Sequence, residues 1–187
     1  IGPGIGIDIE DWEKSITLLM EFKGLLILDA DALNRIARSD LKEQFFLERK
    51  FNTWITPHLN EFNRLFLNKA AINNVELALN SIKDFNLKIL LKGAHSVIAD
   101  SKGIVWQVYD TDQFSARAGL GDLLSGFIAG ISALEISSGK EISSESFAKY
   151  VLLHSFSAKN CKNGSNASYI VNELSKITRE VKSRQMF

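Results

Sequence analysis

Short apolar runs alternate with longer segments of helical periodicity along the whole sequence. The clearest apolar run, residues 25–28, ends at the acidic residues Asp29 and Asp31, as a buried parallel strand does. No repeat, low-complexity stretch or Pro/Ser-rich linker interrupts this alternation. The pattern predicts an α/β fold with a mostly parallel central sheet, helices on both faces, and ligands at the carboxyl ends of the strands.

The same periodicities give approximate bounds for the elements. Helices are predicted at 11–22, 32–38, 41–50, 71–85, 144–159 and 167–184, and strands at 25–28, 54–55, 87–91, 96–99 and 104–109. Thr56 and Pro57 are expected to open a further helix, with Thr56 as its N-cap and Pro57 as its first residue. Phenylalanines at helical spacing are expected to be core residues: these are Phe45, Phe46, Phe62 and Phe66.

Length and composition are those of one domain. The chain has 187 residues, of which 45% are hydrophobic, and we expect a single domain over residues 1–187. Lysine plus arginine and aspartate plus glutamate number 22 each, so no global field favours nucleic acid or an anionic membrane. A lone cysteine, Cys161, fits a reducing compartment, and no apolar run approaches the roughly 20 residues that span a bilayer. We therefore expect a soluble, cytoplasmic protein.

The chain begins with a glycine-rich turn, residues 1–6, with neither a methionine nor a strand before it. Such turns usually follow a strand. We therefore expect the fold to lack N-terminal elements, either because this is the later part of a longer polypeptide or because earlier residues are missing.

The segment 118–126 combines glycines, one carboxylate and the start of an apolar helix. Gly119 and Gly121 allow backbone N–H groups to form a concave anion site, to which the helix adds its positive end. A carboxylate there repels a phosphate unless the chemistry uses it, so the pattern indicates phosphoryl transfer with Asp122 as base. Acidic residues are also favoured in a first helical turn for their own sake, and that interpretation stays open.

Five segments occur in order along nearly the whole chain: 2–6, 28–34, 56–61, 91–96 and 118–122. Each alone is a weak signal, but together they resemble the ADP- or ATP-dependent NAD(P)H-hydrate dehydratases, a branch of the ribokinase-like superfamily. The resemblance implies a ribokinase-like domain with further sheet-forming sequence before Gly2. Residues 1–187 then correspond to the C-terminal portion of the family's domain.

The resemblance also implies an activity in metabolite repair. Water has added to the nicotinamide ring of NADH or NADPH, and a lyase of this family removes it while consuming ADP or ATP. The ring hydroxyl is phosphorylated and the phosphate is then eliminated, leaving the restored dinucleotide, inorganic phosphate and, when ADP is the donor, AMP. Mg²⁺ is implied because it screens the phosphates. Assembly into homo-oligomers is implied by kinship alone.

By resemblance, Asp122 contacts the substrate and takes the proton of its hydroxyl, while Gly119 and Gly121 offer N–H groups to the transferring phosphoryl group. The family usually has Thr or Ser where this chain has Leu120, so one hydroxyl donor is lost. The other implied contacts form two groups. The substrate is contacted by Gly4, Gly6 and His58, and the nucleotide by Lys92, Gly93, Ala94, His95 and Ser96. No residue is assigned as a metal ligand.

Several interpretations compete with these assignments. Asp29 and Asp31 are expected to end a strand and cap the following helix, and His154 to be a packing histidine on an apolar helix face. His95 can equally be a polar turn residue. Two other functions stay open: a kinase of a small hydroxylated metabolite, such as a thiazole or pyrimidine alcohol, and a non-catalytic nucleotide-binding fragment.

Overall fold

One five-stranded sheet in the order β1-β2-β3-β4-β5 organises the first part of the chain. The computed structural model describes residues 1–6, 8, 12–66, 71–109, 118–161 and 166–183. The strands are β1 Leu26–Leu28, β2 Thr53–Ile55, β3 Lys88–Leu91, β4 Ser96–Asp100 and β5 Val105–Val108. β1 with β2 and β2 with β3 are parallel pairs, whereas β3 with β4 is antiparallel. The sheet is therefore parallel over β1 to β3, as predicted, and it becomes antiparallel at β4.

The helices lie close to the predicted bounds. They are α1 Trp12–Glu21, α2 Ala30–Arg38, α3 Lys42–Glu48, α4 Leu59–Leu65, α5 Asn74–Ile82, α6 Leu120–Ser137, α7 Ser144–Asn160 and α8 Ala167–Ser183. The predicted start of α4 is wrong, because His58 is its N-cap. Thr56 instead ties β2 to β1, its N–H and its Oγ1 both donating to the Leu28 carbonyl at 3.0 and 3.2 Å.

The described residues form two compact units, Ile1–Gln107 and Val108–Phe187. The expectation of one domain over 1–187 stays a prediction. In the first unit the strand side chains are buried on both faces, since Leu28 and Ile55 alternate with Ile27 and Trp54 and all four are buried. The phenylalanines expected in the core are there: Phe45, Phe46, Phe62 and Phe66 are 0–7% exposed.

Arg49, the C-cap residue of α3, is a buried arginine that ties the end of α1 to β2. The residue is 1% exposed, and its Nε donates to Thr53 Oγ1 at 2.5 Å. Its remaining N–H groups donate to backbone carbonyls at the end of α1 and just after it, those of Leu19, Met20, Phe22 and Gly24. The last carbonyls of a helix receive no hydrogen bond from an N–H group of that helix. The guanidinium therefore supplies donors to carbonyls that otherwise need water.

We expect Arg49→Lys to lower the free energy of unfolding by about 2 kcal/mol, because one ammonium group cannot replace the fork of donors and leaves buried carbonyls unpaired. Urea unfolding followed by circular dichroism measures the change. Arg38→Lys, at an exposed position on α2, is the matched control and should change stability by less than about 0.5 kcal/mol. Equal losses in the two variants contradict the bridging role.

The second unit contains α6, α7 and α8, with Leu153, Leu174 and Ile177 forming a small apolar cluster beside Phe127. By length and composition α6 could cross a membrane, since it has 18 residues with a mean hydropathy of 1.4. From the sequence we expect no apolar run long enough to span a bilayer, and α6 departs from that expectation in length and composition. Buried helices of water-soluble proteins have the same length and composition, so these two properties do not distinguish a membrane-spanning helix from a core helix.

Candidate functional site

The glycine-rich segment at the start of the chain lies against the carboxyl end of β1. Gly2 is buried with φ at +147°, and a Cβ on it would lie 1.7 Å from the carbonyl oxygen of Asp29. Only glycine fits so close an approach. The Asp29 N–H donates to the Ile1 carbonyl at 3.0 Å. The backbone after β1 and the loop 2–6 are thereby held together.

Asp29 is 1% exposed and is the N-cap residue of α2. Its Oδ1 accepts from the Ala30 N–H at 2.9 Å and from Lys92 Nζ at 2.6 Å. The predicted capping role of Asp29 is confirmed, whereas Asp31 does not cap and accepts from the Gly6 N–H at 2.9 Å. Lys92 comes directly after β3, so this ion pair connects the carboxyl ends of two parallel strands. The two opposite charges after these strands are visible in the sequence, but their pairing is not.

Residues 92–95 form the turn between β3 and β4, and Ser96 is the first residue of β4. The Ser96 hydroxyl accepts from the Gly93 N–H at 3.3 Å and donates to the Gly93 carbonyl at 3.2 Å, which closes the turn. Ser96 is buried, while Gly93, Ala94 and His95 are exposed. The turn thus offers three consecutive exposed residues at the carboxyl end of β3.

His58 caps α4 through its ring. Its Nδ1 accepts from the N–H groups of Asn60 and Glu61 at 3.1 and 3.3 Å, and Glu61 accepts from the His58 N–H at 2.9 Å. An acceptor role for Nδ1 places the proton of the neutral ring on Nε2, which lies 3.4 Å from Glu61 Oε1. His58 also forms a parallel bridge with Lys92, and the Lys92 N–H donates to the Pro57 carbonyl at 2.8 Å. Within the first unit, Asp29 and His58 therefore both contact Lys92 at the carboxyl ends of the parallel strands.

In the second unit, Gly119 is the N-cap residue of α6, with φ at +79° and no side-chain cap. Gly121 lies inside the first helical turn rather than before it, and Asp122 is exposed in the same turn. The first N–H groups of a helix have no acceptor within it, so this end of α6 offers donors and a positive dipole end beside one carboxylate. That combination suits a negatively charged oxygen that is also close to a base.

His154 on α7 is 4% exposed, as expected of a packing histidine. Burial lowers its pKa from 6.5 to about 4, opposed in part by a hydrogen bond to the backbone of Leu120. Its Nε2 has no hydrogen-bond partner among the described residues. Nothing in the sequence links His154 to Leu120, because the two residues lie on different helices.

We expect this buried histidine to make the protein acid-sensitive. The folded-state pKa lies below the unfolded value, so the contribution of neutral His154 is complete above pH 6.5 and is lost as the pH falls towards about 4. The full loss is about 3 kcal/mol. Urea unfolding at several pH values in this range gives the free energy of unfolding as a function of pH. This free energy should fall less steeply with falling pH in His154→Leu than in the unmodified chain. His95→Gln, at an exposed position, should keep the original slope; a change there would point to a general effect of losing a histidine.

Among the described residues, no group of three His, Cys, Asp or Glu side chains could hold a metal ion. Mg²⁺ is usually bound by one or two carboxylates together with substrate phosphates and water. Asp122 presents one exposed carboxylate of this kind in the first turn of α6.

Comparison with known proteins adds a family and a fold. The family model described as NAD(P)H-hydrate dehydratase matches residues 1–180. The bifunctional NAD(P)H-hydrate repair enzyme of Synechocystis is 35% identical over 133 residues, which cover 71% of this chain and 25% of that protein. The one from Thermofilum pendens is 32% identical over 137 residues, covering 72% and 26%. The chain therefore spans about a quarter of the length of these relatives.

Two solved structures are similar in fold. The ADP/ATP-dependent NAD(P)H-hydrate dehydratase of Bacillus subtilis, co-crystallised with ATP and Mg²⁺, has a TM-score of 0.76 at 23% identity, over 96% of this chain and 63% of that one. A ribokinase-like superfamily protein of Enterococcus faecalis has a TM-score of 0.75 at 23% identity, over 96% and 62%. The expected ribokinase-like α/β fold is confirmed.

Proposed function

The chain belongs to the NAD(P)H-hydrate dehydratase family, and on that premise we propose that it dehydrates hydrated NADH or NADPH at the expense of ADP or ATP. The observation that carries the proposal is the start of α6. A left-handed Gly119 precedes a helix whose first turn holds an exposed carboxylate, Asp122. A carboxylate beside an anion-binding helix end is placed to deprotonate a nucleophile that attacks a phosphoryl group there.

Asp122 takes the proton of the ring hydroxyl. The hydroxyl oxygen then forms a bond to the terminal phosphorus of the nucleotide as the bond between that phosphorus and the nucleotide's bridging oxygen breaks. The N–H groups at Gly119 and Gly121 stabilise the charge on the phosphoryl oxygens in transit. The phosphate group of the new ester then leaves with the electron pair of the carbon–oxygen bond, and loss of a proton from the neighbouring carbon restores the ring. AMP and inorganic phosphate are the other products when ADP is the donor.

The remaining residues bind and orient. We assign the nucleotide to the segment 92–96, where the exposed residues Gly93, Ala94 and His95 follow the partly exposed side chain of Lys92. The hydrated nicotinamide portion is assigned to Gly4 and Gly6, whose lack of side chains permits close approach, and to the half-exposed ring of His58. Mg²⁺ that enters with the nucleotide would neutralise part of the charge on its phosphates.

The proposed setting is a cytoplasmic homo-oligomer that acts on these small molecules without nucleic acid or membrane. Charge balance supports the absence of a polyanionic partner, since positive and negative side chains number 22 each. Size-exclusion chromatography with light scattering measures the assembly, and a monomeric mass contradicts the oligomer.

The decisive experiment incubates the chain with hydrated NADH or NADPH, ADP or ATP, and Mg²⁺, and follows the return of nicotinamide absorbance. Recovery that depends on both nucleotide and hydrate supports the proposal. Phosphorylation of a thiazole or pyrimidine alcohol without nicotinamide recovery identifies a kinase instead. Nucleotide binding by calorimetry with neither reaction identifies a non-catalytic binding fragment.

A further inference from the structure

Two side chains of α2 hold the backbone of the glycine-rich loop, residues 2–6. Asp31 Oδ2 accepts from the Gly6 N–H at 2.9 Å. Arg35 donates from Nε to the Gly6 carbonyl at 2.8 Å and from Nη2 to the Ile5 carbonyl at 2.6 Å. Asp31 and Arg35 are four residues apart and so share one face of the helix. Three hydrogen bonds thus connect consecutive peptide groups of the loop to a single helix face.

The position of Arg35 is itself set by packing. Its guanidinium carbon lies 5.2 Å from the centre of the Trp12 ring, and Trp12 on α1 is 3% exposed. A guanidinium over an aromatic face gains a cation–π attraction and loses rotational freedom. α1 therefore supports the side chain with which α2 holds the loop.

This arrangement divides the loop into an anchored part and a presented part. Both polar backbone groups of Gly6 are occupied by α2. Gly4 has φ at +75°, and a Cβ placed on it would meet nothing within 4 Å. Residues 2–5 form a turn closed by the Ile5 N–H and the Gly2 carbonyl at 3.3 Å, with Pro3 and Gly4 at its centre as in a type II turn. The open backbone of the loop is therefore at Gly4.

We propose that Asp31 and Arg35 are positioning residues that hold this loop so that Gly4 meets the hydrated nicotinamide portion of the substrate. The inference rests on the proposed function. It adds that two side chains which do not touch the hydrate, those of Asp31 and Arg35, set the position of the loop that binds it. The nucleotide is assigned elsewhere, so the two substrates should respond differently when the anchor is removed.

The test compares Michaelis constants for the two substrates in matched variants. Arg35→Gln and Asp31→Ala should raise KM for the hydrate about tenfold, while KM for the nucleotide and kcat change less than about twofold. Asp31→Asn keeps an acceptor for the Gly6 N–H and should restore most of the hydrate affinity. Arg38→Gln removes an exposed arginine from the same helix and is the control.

A second measurement follows the Gly6 amide by NMR hydrogen exchange. Its protection should be present in the unmodified chain and in Asp31→Asn, and lost in Asp31→Ala. Unchanged protection in Asp31→Ala, or equal rises in KM for both substrates, overturns the positioning role. If the Gly6 amide is protected in the unmodified chain but the chain does not turn over the hydrate, the proposed function is wrong. The substrate assigned to the loop is then wrong as well, whereas the anchoring of the loop by Asp31 and Arg35 stands.

Discussion

Asp122→Asn is expected to lower kcat about 100- to 10,000-fold, the usual contribution of a positioned general base. Asparagine has nearly the shape of aspartate but cannot take the hydroxyl proton. The side chain is exposed in the first turn of α6, so stability should change by less than about 0.5 kcal/mol. Steady-state recovery of nicotinamide absorbance measures kcat, and thermal unfolding measures stability.

The matched control is Glu145→Gln. Glu145 is an exposed acidic residue in the first turn of α7, so this variant removes the same favourable interaction with a helix dipole. Its kcat should stay within about twofold of the unmodified chain. A loss in Glu145→Gln as large as that in Asp122→Asn, or full activity of Asp122→Asn, leaves Asp122 as an ordinary first-turn residue and removes the proposed base.

Asp29→Ala is expected to lower the free energy of unfolding by about 4 kcal/mol, because it leaves the Lys92 ammonium without its partner and removes the N-cap of α2. The Lys92 side chain is 18% exposed and that of Asp29 1%, so water offers little compensation. Urea unfolding measures the change. Asp31→Ala, in the first turn of the same helix, should cost less than about 1 kcal/mol.

Asp29→Asn combined with Lys92→Met separates stability from binding. The double variant contains no uncompensated buried charge, so it should be more stable than Lys92→Met alone, with a coupling energy above about 1 kcal/mol. Nucleotide affinity, measured by calorimetry, should stay weak in both variants that lack the ammonium. Unimpaired nucleotide binding by the double variant contradicts the assignment of Lys92, and additive stability losses contradict the importance of the ion pair.

Local patterns in the sequence determined which segments are strands and helices. Periodicity placed the strands and helices within a few residues, because it reports which side of each element is buried. The glycines and aspartate of 118–122 marked the start of α6, since backbone freedom and helix capping act between close neighbours. Pro57 misled the prediction of α4: proline suits a first helical position, but the ring of His58 supplied the cap.

Only the tertiary structure decided which partners the charged and polar side chains have. The Lys92–Asp29 pair joins residues 63 positions apart, and the bonds from α2 to Gly6 join residues 25 and 29 positions apart. The sequence displayed each of these side chains but not its partner. A hydrogen bond requires two atoms within about 3 Å, and over such separations that distance is set by strand register and helix docking, which no local pattern encodes.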